Sequence, residues 1–245
     1  MKKKLFIIFF LCLITFGGLI NYGFKNHKPT SASLVIENKK AASGYNYTIF
    51  YKNNLLMDVS LKRPDKNDKN ILICIPAAYT DLQTYFVDGL YIDNGKVYNK
   101  NKVNHSLGGA IKIINGNCEI FPTQKGKLLN DSLINLIVSK KGSLFQQIQM
   151  VEKGVGAKYK DAKLFQRRAI VKLKGNKTAV IESYEHITLT AFTKDLLELG
   201  AVDALYTDMG AWDEGWYRQD NKLITIGRMK SQTDKQCNWV VFKEK

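Results

Sequence analysis

The chain has 245 residues, 45% hydrophobic and 24% charged, which are ordinary globular values and provide for one domain or two small ones. Its formal net charge of +15, from 37 Lys+Arg against 22 Asp+Glu, is compatible with nucleic acid, anionic lipid or polyanionic glycan as a partner. The lysines are spread along the chain, however, and neither zinc-finger spacing nor an aromatic-glycine RNA-binding signature occurs, so nucleic acid is not expected as a partner.

Residues 1–24 read as a targeting segment. Lys2, Lys3 and Lys4 precede an apolar run from Leu5 to Ile20, the layout of a signal peptide or signal anchor. An exported body follows from this, periplasmic, envelope-bound or secreted, with membrane association through the leader as an option. Residues 25–43 are polar, with Pro29, Thr30, Ser31 and Ser33, and read as a linker. The folded domain is expected over residues 44–245. Tyr45 to Tyr51 and Leu55 to Leu61 predict two strands, and the apolar run Ile71 to Ile75 predicts a buried strand that stops at Pro76. Tyr79, Thr80 and Asp81 lie just beyond that strand end, where loops commonly deliver side chains to a site.

Asp93-Asn94-Gly95 and Asn115-Gly116 are turn signals between strand pieces. Leu133 to Val138 and Leu144 to Val151 fit helix or strand equally well. Lys163 to Lys174 and Thr178 to Ser183 read as a strand pair. Leu189 to Leu199 is the clearest helix, capped by Thr188 or Thr190 and ended by Gly200. A short strand, Ala201 to Tyr206, then opens into a loop dense in carboxylates and aromatics that runs from Asp208 to Arg218. Leu223 to Arg228 and Asn238 to Phe242 are closing strands. Strands dominate and do not alternate regularly with helices, which predicts an α+β fold of mixed, mostly antiparallel sheets with few helices. Of the four cysteines, Cys12 falls in the leader, and the odd remainder (Cys74, Cys118, Cys237) rules out a fully paired disulfide framework. Three histidines do not make a His-rich site. No metal and no cofactor is expected.

Four segments in order resemble the phosphodiester glycosidase family. They are Leu72 to Thr80, at the family's Asn-Gly-Gly-Phe-Phe-like turn; Arg167-Arg168-Ala169-Ile170, at its Arg-Thr-Ala strand; Thr178 to Ser183 followed by Leu189 to Ala201; and Asp203 to Trp212, at its Asp-Ala-Leu-Asn-Leu-Asp-Gly-Gly-Gly-Ser segment. The resemblance covers about residues 70 to 240. It implies the family's fold and an activity that cleaves a sugar from a phosphodiester or related glycosidic linkage. Two departures stand out: the glycine triplet is reduced to Gly210, and Pro76-Ala77-Ala78 replaces the Asn-Gly-Gly turn.

Such chemistry needs a carboxylate to activate water or attack the anomeric carbon, and cations to hold the phosphate. Asp208, at a strand end, is the first candidate, with Glu214 or Asp213 as its partner. Arg168 or Arg167 would clamp the phosphate, only one of them facing the site because strand neighbours point to opposite faces; Arg218 is a further candidate. Trp212 and Trp216 would stack on sugar, Tyr79, Thr80, Asp81 and Gly210 would line the pocket, and His186 would shuttle a proton. The alternative is a non-catalytic glycan-binding or envelope protein on the same fold.

Overall fold

The computed structural model describes residues 34–210 and 212–245. The expected leader lies outside them, and among the described residues no helix is long and apolar enough to cross a membrane. Seventeen strands form three sheets among the described residues, and every strand pairing within them is antiparallel. With two α-helices among the described residues, α1 (Asp131–Ser139) and α2 (Leu189–Glu198), the fold is α+β as expected.

The first sheet runs β1 (Val35–Lys40), β2 (Asn46–Tyr51), β13 (Lys177–Ser183), β12 (Arg168–Leu173), β14 (Ala201–Tyr206), β10 (Gln149–Glu152) and β11 (Val155–Gly156). The second runs β16 (Lys222–Ile226), β15 (Gly215–Gln219), β4 (Ile71–Pro76), β17 (Trp239–Lys243) and β3 (Leu56–Ser60). The third runs β6 (Lys96–Tyr98), β5 (Tyr91–Asp93), β9 (Ser143–Gln147), β7 (Gly109–Ile114) and β8 (Asn117–Pro122). The main core draws on all three: Ile170, Val180 and Leu205 from the first, Ile73, Val240 and Phe242 from the second, Ile111 and Phe145 from the third.

The first sheet is buried on both faces. Ala169, Val171, Ile181 and Ala204 point away from the main core and pack with Phe192 and Leu196 of α2. Two-sided burial explains why β12 and β13 read as continuous apolar runs rather than alternating ones, although the sheet is antiparallel. Burying a side chain the size of Phe192 contributes about 1.5–3 kcal/mol. The Asn115-Gly116 turn between β7 and β8 has φ of 52° and 72°, the left-handed pair that a two-residue hairpin requires and that Asn-Gly adopts at low cost.

Three expectations change. Part of the expected linker, Val35–Lys40, is the edge strand β1, in continuous register with β2, so the sheet begins before residue 44. Its outward side chains are largely polar, as an edge strand's commonly are, and two are tied down: Tyr51 Oη donates to Glu37 (2.7 Å) and Thr48 Oγ1 to Asn38 (3.0 Å). The loop expected to run to Arg218 ends at Glu214, because Gly215–Gln219 is strand β15, paired with β16 and β4. The two undecided segments divide: residues 131–139 are helical, with Asn130 accepting from the Leu133 N–H as N-cap, and residues 143–147 and 149–152 are strands.

Helix α2 is anchored to β2 by a buried carboxylate. Asp195 accepts hydrogen bonds from Tyr47 Oη (2.5 Å) and Ser43 Oγ (2.6 Å). The Tyr47→Phe substitution leaves a buried carboxylate oxygen short of a donor, and the expected loss is about 1–3 kcal/mol. Urea unfolding of both forms tests this: a lower midpoint at unchanged m is expected, and an unshifted midpoint would mean the anchor adds nothing net.

Candidate active site

Strand β14 delivers Asp208 to the seam between two sheets. The Thr207 N–H is still bonded to the Arg168 carbonyl of β12 (3.1 Å), whereas the next amide, of Asp208, donates to the Ala77 carbonyl beyond β4 (3.0 Å). The chain thus leaves the first sheet and joins the end of the second within one residue. Asp208 is only 4% exposed. Its Oδ2 accepts from the Thr80 N–H (3.1 Å) and the Trp212 indole Nε1–H (3.0 Å). Burial pushes its carboxyl up to about 6, and these donors, with the Gly210 backbone, oppose that rise without cancelling it. A Cβ placed on exposed Gly210 would sit 3.7 Å from Asp208 Oδ1, so ordinary contact distance separates the carboxylate from the solvent-facing turn.

The segment facing Asp208 is held by the residues before β17. Asn238 Oδ1 accepts from the Ala78 N–H (2.7 Å) and its Nδ2 donates to the Ala78 carbonyl (3.0 Å). Thr80 Oγ1 donates to Gln236 Oε1 (3.3 Å) and lies 3.4 Å from Cys237 Sγ. Of the expected lining residues, Thr80 is therefore a direct neighbour of Asp208. Tyr79 is half-buried, edge-on to Tyr206 at 6.3 Å, and burial, Tyr206 and Asp208 all raise its phenol above the ordinary range.

Arg168 occupies a different position from the one expected of a phosphate clamp. Its side chain has no exposed surface and forms an ion pair with Glu182, its cross-strand neighbour on β13. Both terminal nitrogens also donate to the Asp213 carbonyl at 3.1 Å. The guanidinium is thereby filled by the protein, and it fastens the loop after Asp208 to the first sheet. Arg167, on the opposite face, is likewise engaged, with bonds to the carbonyls of Ile187 (3.0 Å) and Lys163 (2.7 Å) and to Tyr206 Oη (3.0 Å). The strand alternation holds, but both faces are interior.

The carboxylates expected as partners for Asp208 also bond elsewhere. Asp213 Oδ1 accepts from the Met229 N–H at 2.6 Å. Glu214 pairs with Arg63 (2.6 Å) and Lys66 (2.9 Å) and accepts from Thr233 Oγ1 (2.9 Å). Although burial opposes it, the Lys66 and Thr233 bonds and the Arg63 charge hold its carboxyl below the usual range. Arg218 donates to the Lys66 carbonyl (2.8 Å), in that same outer group. Trp216 is in a small core with Cys74, Trp239 and Val241, and Trp212 is buried against Asp208, so neither indole is an open sugar platform. Asp81 closes its own turn, accepting from the Gln83 (2.7 Å) and Thr84 (2.9 Å) amides. His186 is exposed, in the segment after β13.

Several residues that shape the site escape sequence reasoning. Glu182 carries a signal, a lone acid inside an apolar strand that must find a cation once buried. Gln236 and Asn238 carry none, because their partners are about 160 residues away in the chain. Gly227, with φ of 86°, allows the closest approach in the region: a Cβ there would stand 2.3 Å from the Asp213 carbonyl oxygen. Among the described residues, no group of three His, Cys, Asp or Glu side chains could hold a metal ion.

No protein-family model matches the sequence, and no curated protein matches it either. Solved structures do match. The catalytic domain of zebrafish N-acetylglucosamine-1-phosphodiester alpha-N-acetylglucosaminidase, auto-inhibited by its pro-peptide, aligns with a TM-score of 0.60 at 13% identity over 87% of this chain and 82% of that one. A hypothetical protein from Synechocystis aligns with a TM-score of 0.59 at 10% identity over 86% of this chain and 62% of that one. At these identities the likeness is one of fold: the α+β architecture described above is similar to that of a glycosidase catalytic domain.

Two measurements test the geometry. Glu182→Gln leaves the buried Arg168 cation without its counter-charge, and a loss of about 3–5 kcal/mol in unfolding free energy is expected; a change under about 1 kcal/mol would show that the pair is not closed to water. Asp208 gives a pH signature. Its folded-state value, about 6, lies above the ordinary 3.8, so its contribution to stability is fully present below the ordinary value and is lost as pH rises through about 6. Asp208→Asn does not titrate. Relative to wild type it should gain about 2–3 kcal/mol between roughly pH 4 and 7, read from denaturant melts across that range. A pH-independent difference would mean that the carboxyl titrates normally.

Proposed function

We propose that this chain is an exported glycosidase in which Asp208 supplies the essential carboxylate for cleaving a sugar from a phosphodiester or a related glycosidic linkage. The observation that carries the reading is the state of Asp208. It is a carboxyl almost wholly withdrawn from water, at a strand end beside an exposed turn, with neutral donors from Thr80, Trp212 and Gly210 and, among the described residues, no cation bonded to it. Glu182 and Glu214, by contrast, each face a cation. Asp195 is also buried among neutral donors, but it has no exposed surface and its bonds to Tyr47 and Ser43 serve to anchor α2. With a value raised to about 6, Asp208 is ionised at neutral pH and still basic enough to take a proton from water or to attack an anomeric carbon. Export rests on the leader-like composition of residues 1–24.

The fold likeness to a glycosidase catalytic domain supports the class of reaction. A phosphate is a weakly basic leaving group, so departure needs little help from a general acid. That suits a site in which Asp213 and Glu214 are bonded to other groups. Since Arg168 and Arg167 are also engaged, substrate anions would be met by the Thr80–Gly210 mouth and by Lys235. That lysine adjoins Gln236, the partner of Thr80, and its ammonium lies 5.4 Å from the centre of the Tyr85 ring. The non-catalytic alternative has less to rest on, because the two tryptophans it would use for recognition are buried.

A panel of chromogenic sugar-1-phosphodiesters tests the reading. Wild-type protein should turn over at least one member, with a rate that rises as pH passes through about 6. Asp208→Asn should lower kcat/KM by about 10²–10⁴-fold while calorimetry shows the ligand still bound. A wild-type protein that binds panel members and hydrolyses none would sink the enzyme reading and leave the glycan-binding one.

A further inference from the structure

At the opposite end of the same strands the electrostatic situation is reversed. Lys52 follows the last residue of β2, and its backbone N–H donates to the Thr178 carbonyl of β13 (2.9 Å). Its side chain is only 7% exposed, and its ammonium donates to the Leu55 carbonyl. Burial lowers its affinity for a proton, Cys118 opposes that, and Lys172 and Lys245 add repulsion. Lys172, on β12, donates its ammonium to Thr178 Oγ1 at 3.0 Å, so the Lys52 backbone and the Lys172 side chain meet the same threonine.

These two lysines line a cavity of about 760 Å³, within the usual range for small-molecule sites. Lys174 and Lys177 add two more cations to its wall, and Asn117 and Asn176 contribute amide groups suited to hydroxyls. Two acids also line it. Glu119 is paired with Lys112 (2.9 Å), whereas Asp203, opposite Lys172 in the strand register, accepts from the neutral Lys153 N–H (2.9 Å) and keeps its charge. A buried cation without a counter-ion is costly unless a ligand supplies the charge.

We propose that this cavity is a second binding site, distinct from Asp208, for a small molecule bearing a phosphate or sulfate group, with Lys52 and Lys172 on the oxyanion. The cavity is larger than a bare oxyanion needs, which leaves room for a hydroxylated body beside the amides. The site does not depend on the glycosidase reading.

The test is isothermal titration of the full chain at low salt with inorganic phosphate, inorganic sulfate, glucose 6-phosphate and glucose. Binding of at least one oxyanion-bearing probe, and none of glucose, is expected. Tighter binding of glucose 6-phosphate than of phosphate identifies an esterified ligand, and equal binding identifies the free anion; either supports the site. Lys52→Met and Lys172→Gln should each weaken binding about tenfold or more. Lys52→Met keeps the apolar stem and removes a buried charge, so its melting temperature should not fall. Asp208→Asn should bind as wild type does. The proposal is overturned if no oxyanion probe binds, if glucose binds as well as its phosphate, if both lysine variants bind normally, or if Asp208→Asn changes phosphate binding as much as Lys52→Met does.

Discussion

A guanidinium with no exposed surface has to be neutralised where it stands, and much of the geometry around Asp208 follows from how Arg168 meets that requirement. Its charge is balanced by Glu182 on the neighbouring strand, and its remaining donors reach the Asp213 carbonyl. One buried ion therefore ties β12, β13 and the loop after β14 together. Since a buried pair is costly to break and adds little when intact, its use is better understood as positional than as stabilising. It fixes where the chain passes at Asp213, and Gly227 lets the segment after β16 press against that same point.

Asp208 depends on this restraint from one side and on the Gln236–Asn238 strap from the other. Both flanking segments, residues 77–80 on one side and Asp213 on the other, are pinned to parts of the fold remote in sequence. The carboxylate can then be kept out of water with only neutral donors around it, a state that a flexible loop would relax by turning the side chain outward. The raised proton affinity is the thermodynamic record of that confinement. It is also a cost, since folding at neutral pH has to hold an ion in a place that prefers the neutral acid. Such costs are characteristic of sites arranged for chemistry rather than for stability.

Most of the fold is legible in the sequence because its strands announce themselves. Ile71 to Ile75 and Ala169 to Val171 are unbroken apolar runs, and Asn94-Gly95 and Asn115-Gly116 mark hairpins through the left-handed backbone they permit. Two strands are hidden for opposite reasons. Strand β1 is an edge, with one side in water and a polar composition that reads as linker; β15 follows so closely on a carboxylate-rich turn that its Trp216 and Arg218 read as site residues instead of sheet residues. Among the candidate site residues, the position of Asp208 at a strand end is legible. The roles of Arg168, Glu214 and Trp216 are not, because each is decided by a partner on another strand or loop: Arg168 by Glu182, Glu214 by Arg63 and Lys66, Trp216 by Trp239. Residue type tells which groups could do chemistry; only tertiary pairing tells which are left free to do it.

The antiparallel arrangement of β12, β13 and β14 gives the first sheet two chemically different ends. Arg168 begins β12 where β14 ends and Asp208 follows, and Lys172 lies near the other end of β12, opposite Thr178 and Asp203. At the first end Arg168 is balanced by Glu182, while Asp208 has neutral donors. At the second end Glu119 is paired with Lys112, Asp203 accepts from a backbone N–H, and the ammonium of Lys52 donates to the Leu55 carbonyl. The sheet thus carries a buried acid at one end and a buried base at the other, neither with a counter-ion. The length of a strand separates them, too far for each to neutralise the other. Continuous apolar packing between them, through Ile170, Val180 and Leu205, keeps the two charges from being relieved by water along the way.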